Sequence, residues 1–185
     1  GVLDRQGTLC LSATSSRKNP QGKIIRSTFV STDFLGAVMR DSPSRQQVVI
    51  LDIGLSEDDP LHSVARKKHL EAVRDQLSSA EHTILVSSTA IHHTNVQKGN
   101  FQSLYTFYLV EGLETGIADA RGNGIITLGE WHNYAKYKAQ LISPALRPAL
   151  YGELDQVQLP IAQAPLNDPK LQYRREVEYF SRNGQ

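Results

Sequence analysis

The sequence predicts an α/β protein built on a mainly parallel sheet, and three observations predict it. Val48–Ser56 reads VVILDIGLS, four apolar residues running into Asp52 and then into Gly54 and Ser56. A short continuous apolar run that ends in turn residues is the pattern of a buried parallel strand. Thr83–Val86, TILV, is a second such run. Around both lie segments with apolar residues at three-to-four spacing, and alternating strands and helices pack as an α/β sandwich.

Taken in order, Asp4–Gly7 is a turn and Thr8–Leu11 a short strand containing Cys10. Ala13–Lys23 is polar, carries Pro20 and Gly22, and reads as a loop. Ser31–Arg40 is a helix with caps available from Ser31 to Asp33 and an apolar face of Phe34, Leu35, Val38 and Met39. Asp59-Pro60 starts the next helix, which runs to about Leu77 with Leu70, Val73 and Leu77 inward. Its Arg66-Lys67-Lys68 run is a solvated face. Phe101–Glu114 is the strongest helix: Phe101, Leu104, Tyr105, Tyr108, Leu109 and Gly112 share a face, and Asn100 is placed to cap it. A further helix spans Leu128 to about Gln140, with Trp131, Tyr134, Ala135 and Lys138 on one face. Val157–Ala162 reads as an edge strand, and Asp168-Pro169 opens a final helix.

At 185 residues the chain is long enough for a real core. Hydrophobic content of 39% and charged content of 21% fit a soluble globular protein. A formal charge of +1 gives no electrostatic reason to expect nucleic acid or an acidic membrane as partner. No apolar run approaches the ~20 residues of a membrane span, and no signal peptide is visible. Cys10 is the only cysteine, which fits a reducing, cytoplasmic setting. The chain opens on Gly1 without Met and ends on Asn183-Gly184-Gln185, so a fragment of a larger multidomain chain is expected.

In open parallel sheets, chemistry sits beyond the carboxyl ends of the strands. The end of the first run offers Asp52, Gly54 and Ser56, and the exit of the second offers Ser87-Ser88-Thr89 at the same edge if the two strands are parallel. A Ser–His–acid triad drawn from Ser56, Ser87 or Ser88 with His92 or His93 lacks any local signature. His92 and His93 read as exposed loop residues, and His62, His69, His82 and His132 as surface or helix-face residues.

Asp119–Glu130, DARGNGIITLGE, lies close to the calcium loop of EF hands. Asp119 takes the first position, Asn123 the fifth, Gly124 the glycine position, Ile125 offers a carbonyl and Glu130 ends the loop. Arg121 stands where a carboxylate belongs. Two readings stay open: weak calcium binding by Asp119, Asn123, Ile125 and Glu130, or a structural turn followed by a capping box of Thr127 and Glu130.

Several segments together resemble a family. Gly1–Leu11 is similar to the segment after a Ser-Gly-His-Gly motif, with Gly1 as its last glycine. Val48–Asp52 is similar to the strand leading into an Asp-Cys-Cys-His-Ser-Gly motif. Thr83–Thr89 is similar to a first small-subunit strand, and Tyr105–Leu113 with Thr115–Asp119 to the helix and loop after it. Asp168–Val177 is similar to a bacterial extension. In this order and spacing the chain resembles the caspase-like cysteine peptidases, in particular the bacterial metacaspase-type proteins.

The resemblance implies a three-layer caspase-like sandwich lacking its N-terminal strands. Residues 1–80 would end the large-subunit region, 81–165 form the small-subunit region, and 166–185 start an extension helix. It also implies a lost reaction. Against Asp-Cys-Cys-His-Ser-Gly the chain reads Asp52-Ile53-Gly54-Leu55-Ser56-Glu57, so Gly54 stands at the nucleophile, and the histidine would precede Gly1. Asp52, whose counterpart helps bind a basic residue, and Ser88 at the neighbouring strand exit are the substrate-binding candidates. The expectation is a pseudo-peptidase that binds protein or peptide, needing no cofactor. The alternatives are an active endopeptidase cleaving after Arg or Lys with residues supplied elsewhere or from Ser56, and a weakly calcium-responsive interaction module.

Overall fold

A computed structural model describes residues 1–55, 71–77, 82–90, 103–144 and 146–165, with backbone alone at 54–55, 82 and 85–90. The protein is mixed α/β and divides into two compact units, Gly1–His93 with Arg147–Glu153, and Thr94–Leu146 with Leu154–Gln185.

In the first unit, β1 (Val2–Leu3), β2 (Leu9–Leu11) and β3 (Val30–Ser31) form an antiparallel ribbon. The turn between β1 and β2 closes because Asp4 Oδ1 accepts from the amides of Gln6 and Thr8, both at 2.9 Å, and Gly7 takes a positive φ of 82°. Helix α1 (Thr32–Asp41) starts at Ser31, whose hydroxyl accepts from the Phe34 amide at 3.2 Å. The face it buries is Thr32, Gly36 and Met39. Phe34 and Val38, expected on the apolar face, are exposed. Polar bonding sets the rotation: the Thr32 hydroxyl reaches the Leu9 carbonyl at 3.2 Å and the amide oxygen of Gln76.

Gln76 lies in the helical stretch 71–77 (α2), whose Val73 and Leu77 are buried as expected. Its side chain joins three segments. Oε1 accepts from the Leu9 amide at 3.1 Å as well as meeting Thr32, and Nε2 donates to the Gly7 carbonyl at 2.8 Å. The Asp59-Pro60 helix start, Leu70 and the Arg66–Lys68 run lie outside the described residues, as does the helix expected from Asp168.

Strand β4 (Gln47–Leu55) pairs in parallel with β5 (His82–Ala90), and β7 (Ala149–Tyr151) adds antiparallel to β5. Among the described residues this is the one parallel pairing; the rest, including β6 (Ile125–Thr127) with β8 (Pro160–Gln163), are antiparallel. The mainly parallel sheet expected from the sequence is therefore not found: among the described residues it is reduced to one pair, with β4 at the edge of the three-stranded sheet β4-β5-β7. A parallel pair needs a long crossover, and the stretch of chain between Leu55 and His82 is long enough to supply one. Leu51 and Ile53 join a core with Leu9, Met39, Val73, Leu77 and Ile84. The opposite face of β4 is open: Val48, Ile50 and Asp52 are exposed. Burial on both faces, expected from the continuous apolar run, is not found for this strand.

In the second unit α3 (Leu104–Glu114) packs on α4 (Leu128–Ile142). Leu104, Tyr105, Tyr108, Leu109 and Gly112 are buried, the face the sequence marks. The cap is Ser103, accepting from the Thr106 amide at 3.1 Å; Asn100 and Phe101 lie outside the described residues. Gly112 is needed where the helices meet, since a Cβ there would stand 2.9 Å from Tyr134 Cδ1. The buried residues of α4 are Leu128, Gly129, His132, Ala135 and Ala139, so of the face Trp131, Tyr134, Ala135 and Lys138 marked from the sequence only Ala135 is buried. The edge strand begins later than predicted, because Leu154–Val157 forms a short helix (α5) first.

Candidate functional site

Two regions carry the sequence-predicted site residues, one in each unit. In the first, β4–β5 pairing sets Asp52 opposite Ser87, Ile53 opposite Ser88 and Gly54 opposite Thr89 at the carboxyl ends of the parallel pair. Alternation along a strand places Asp52 and Gly54 on the same face, the one that Val48 and Ile50 leave exposed. Asp52 and Ser88 reach the same end of the parallel pair but are not brought together: Ser88 is in register with the buried Ile53, and the register partner of Asp52 is Ser87. Ser56, His92 and His93 lie outside the described residues.

Cys10, the only thiol in the 185 residues, is on β2 and fully buried. Its Sγ contacts the Thr8 carbonyl at 3.8 Å. Burial pushes the thiol pKa up, and the charges of Asp4 and Asp33 push the same way against Arg26. Reactive cysteines have the opposite surroundings, exposed and with a lowered pKa.

The second region is the loop Asp119–Glu130. Asp119 is fully buried and folds the loop around itself: Oδ1 accepts from the Asn123 amide at 3.2 Å and Oδ2 from the Gly124 amide at 2.7 Å. Gly122 and Gly124 take positive φ values of 62° and 83°, which is why glycines stand there. Asn123 Oδ1 accepts from the Ile125 amide at 3.0 Å. Ile126 is fully buried against Ala118 and Ala164 and pairs with Ala162 of β8.

Glu130 closes the loop. Its Oε2 accepts from the Thr127 amide at 3.0 Å and the Thr127 hydroxyl at 2.8 Å, while the Glu130 amide donates back to that hydroxyl at 3.4 Å. This is the predicted capping box. Arg121 then forks onto the same carboxylate, Nε to Oε1 at 3.1 Å and Nη2 to Oε2 at 3.2 Å, with its own amide also donating to Oε1 at 3.1 Å. Burial alone would raise the Glu130 pKa; the hydrogen bonds from Arg121 and Thr127 outweigh it and hold the carboxyl below its usual value. The four calcium-ligand candidates, Asp119, Asn123, Ile125 and Glu130, are brought into one loop, but the side-chain oxygens of Asp119, Asn123 and Glu130 already accept hydrogen bonds from the chain. Among the described residues no group of three His, Cys, Asp or Glu side chains gathers as a metal site.

His132, read from the sequence as a surface or helix-face residue, lies on the inner face of α4. It is buried, and its Nδ1 lies 2.7 Å from the Tyr105 hydroxyl. Burial lowers its pKa to about 4, with Lys136 adding repulsion, so the ring is neutral near pH 7. The Arg121–Glu130 fork was also missed as a bond, although the motif itself signals it: its third and last positions converge on one cation, so opposite charges there must meet. Among the described residues no helix is long and apolar enough to cross a membrane.

Compared with family models, with curated proteins and with solved structures, the chain matches none.

Proposed function

We propose that this chain is a caspase-like domain that has lost peptidase chemistry and serves in binding protein or peptide, as part of a larger cytoplasmic protein. On this reading the β4–β5 pair is the centre of a three-layer sandwich. The single observation that carries the loss of chemistry is the placement of sulfur. Gly54 stands at the strand end where the resemblance puts the nucleophile, and the only thiol, Cys10, is buried on β2 with a raised pKa. Without a thiolate no acyl-enzyme can form by the family's route. What persists at the strand end is an exposed carboxylate, Asp52, the charge suited to holding a basic side chain.

The test is turnover of reporter peptides ending in Arg or Lys, using both this chain and the full-length product that contains it. No cleavage above background is expected. Clear cleavage stopped by a thiol-directed inhibitor would overturn the reading and favour an active endopeptidase whose catalytic residues lie outside these 185 residues. Cleavage lost on Ser56→Ala but insensitive to thiol reagents would instead point to a serine nucleophile.

A further inference from the structure

Calcium loops collect hard oxygens around one dication, and the acidic residue at the last position supplies both of its carboxylate oxygens. In Asp119–Glu130 those two oxygens are held by a cation from inside the chain. The Arg121 guanidinium forks onto Oε1 and Oε2 at 3.1 and 3.2 Å, and its remaining Nη1 reaches Gln158 Oε1 at 3.4 Å. Planar guanidinium on carboxylate is the geometry in which a charge-assisted pair is most directional. The rest of the loop is complete without metal. Asp119 holds the Asn123 and Gly124 amides, and Ala164 donates to the Gly124 carbonyl at 2.9 Å.

We propose that Arg121 is a built-in replacement for calcium: its guanidinium occupies the cation's place between the two halves of the loop and fixes the start of α4 whether or not calcium is present. The second unit is then a calcium-indifferent version of a calcium-loop helix pair. This does not rest on the peptidase reading. A divalent ion approaching Glu130 has to displace a tethered positive charge, whereas removing that charge and adding a carboxylate completes the set of side-chain oxygen donors at positions 119, 121, 123 and 130.

The experiment measures calcium binding by titration calorimetry, and thermal unfolding in calcium chloride and in EDTA, for the wild-type chain, Arg121→Gln and Arg121→Asp. The wild type should give no binding heat at millimolar calcium and the same unfolding midpoint in both solutions. Arg121→Gln should unfold a few degrees lower in both. Arg121→Asp should unfold lower in EDTA, bind calcium saturably and regain its midpoint with calcium. Saturable calcium binding by the wild type with a raised midpoint would overturn the proposal, and so would an Arg121→Gln midpoint equal to the wild type. A folded Arg121→Asp that ignores calcium would overturn it as well. If Arg121→Asp fails to fold, the wild-type and Arg121→Gln measurements decide.

Discussion

At the end of β4, Gly54 puts a hydrogen atom where the resemblance expects sulfur; in the Asp119–Glu130 loop, Arg121 puts a guanidinium where the motif expects a carboxylate. On the reading proposed above each change would remove a chemistry, and their consequences for the fold differ. Glycine deletes a side chain and calls for nothing in return, because the parallel register from Gln47 to Leu55 is made by backbone. Arginine reverses a charge and is bound into its surroundings through Glu130 and Gln158. A function lost by deletion leaves its scaffold indifferent to the site. A function lost by replacement makes the site part of what holds the scaffold.

That contrast predicts where mutation will be felt. The largest effect is expected in the loop. Asp119→Ala strips the carboxylate acceptors from the part-buried Asn123 and Gly124 amides, at roughly 1.5–3 kcal/mol for each hydrogen bond to a charged group, so urea unfolding should show a loss of about 4 kcal/mol. A loss under about 1 kcal/mol would place this loop on the same footing as the strand end.

Acid should also act on the second unit, through His132. Its folded pKa of about 4 lies below the ordinary histidine value of 6.5, so the unfolded chain takes up a proton that the folded chain refuses. The stability from keeping the ring neutral is complete above about pH 6.5 and is lost as pH falls toward 4, in all roughly 3 kcal/mol. Denaturant midpoints measured between pH 7.5 and 4.5 should fall accordingly, and His132→Phe should flatten the slope. An unchanged slope in that variant would assign the acid sensitivity to other groups.

The strand end should tolerate change. Gly54→Cys is expected to shift stability by less than about 1 kcal/mol, since glycine inside a strand gains little for the fold. It should add one thiol that iodoacetamide labels in the native protein, while Cys10 labels only on unfolding; labelling of Cys10 at the same rate would break the contrast between the two thiols. The smallest effect is that of Asp52→Asn. It should leave unfolding unchanged and weaken binding of an Arg-ended peptide by about three-fold, in line with one exposed ion pair. Equal affinity of both proteins for that peptide would remove Asp52 from the binding surface.

Much of the local structure was legible because its signals are local. The buried face of α3 follows from spacing, and the Thr127–Glu130 box from two residues three apart. What the sequence hid depends on partners far along the chain. Gln76 bonds to Gly7 and Leu9, sixty-nine and sixty-seven residues away, and no periodicity reports that. The exposure of Val48 and Ile50 was equally hidden, since an apolar run reads the same with one face covered or two. The burial of His132 was hidden because the sequence marks a different face of α4, Trp131, Tyr134, Ala135 and Lys138. The side chains of Trp131 and Tyr134 in fact meet α3 through hydrogen bonds, Trp131 to the Leu109 carbonyl at 2.6 Å and Tyr134 to Glu111, and the smaller Ala135 and Ala139 line the centre with the imidazole.

Strand β7 gives the first unit a particular order of assembly. Its residues Ala149, Leu150 and Tyr151 cover the flank of β5 at Val86, Leu85 and Ile84, yet they are synthesised after the whole of α3 and α4. Until the ribosome has passed Tyr151, that flank of β5 carries open backbone donors and acceptors, the kind of edge along which chains stick to one another. A product terminated near residue 146 should therefore be prone to precipitate, even though every residue of β4 and β5 is present.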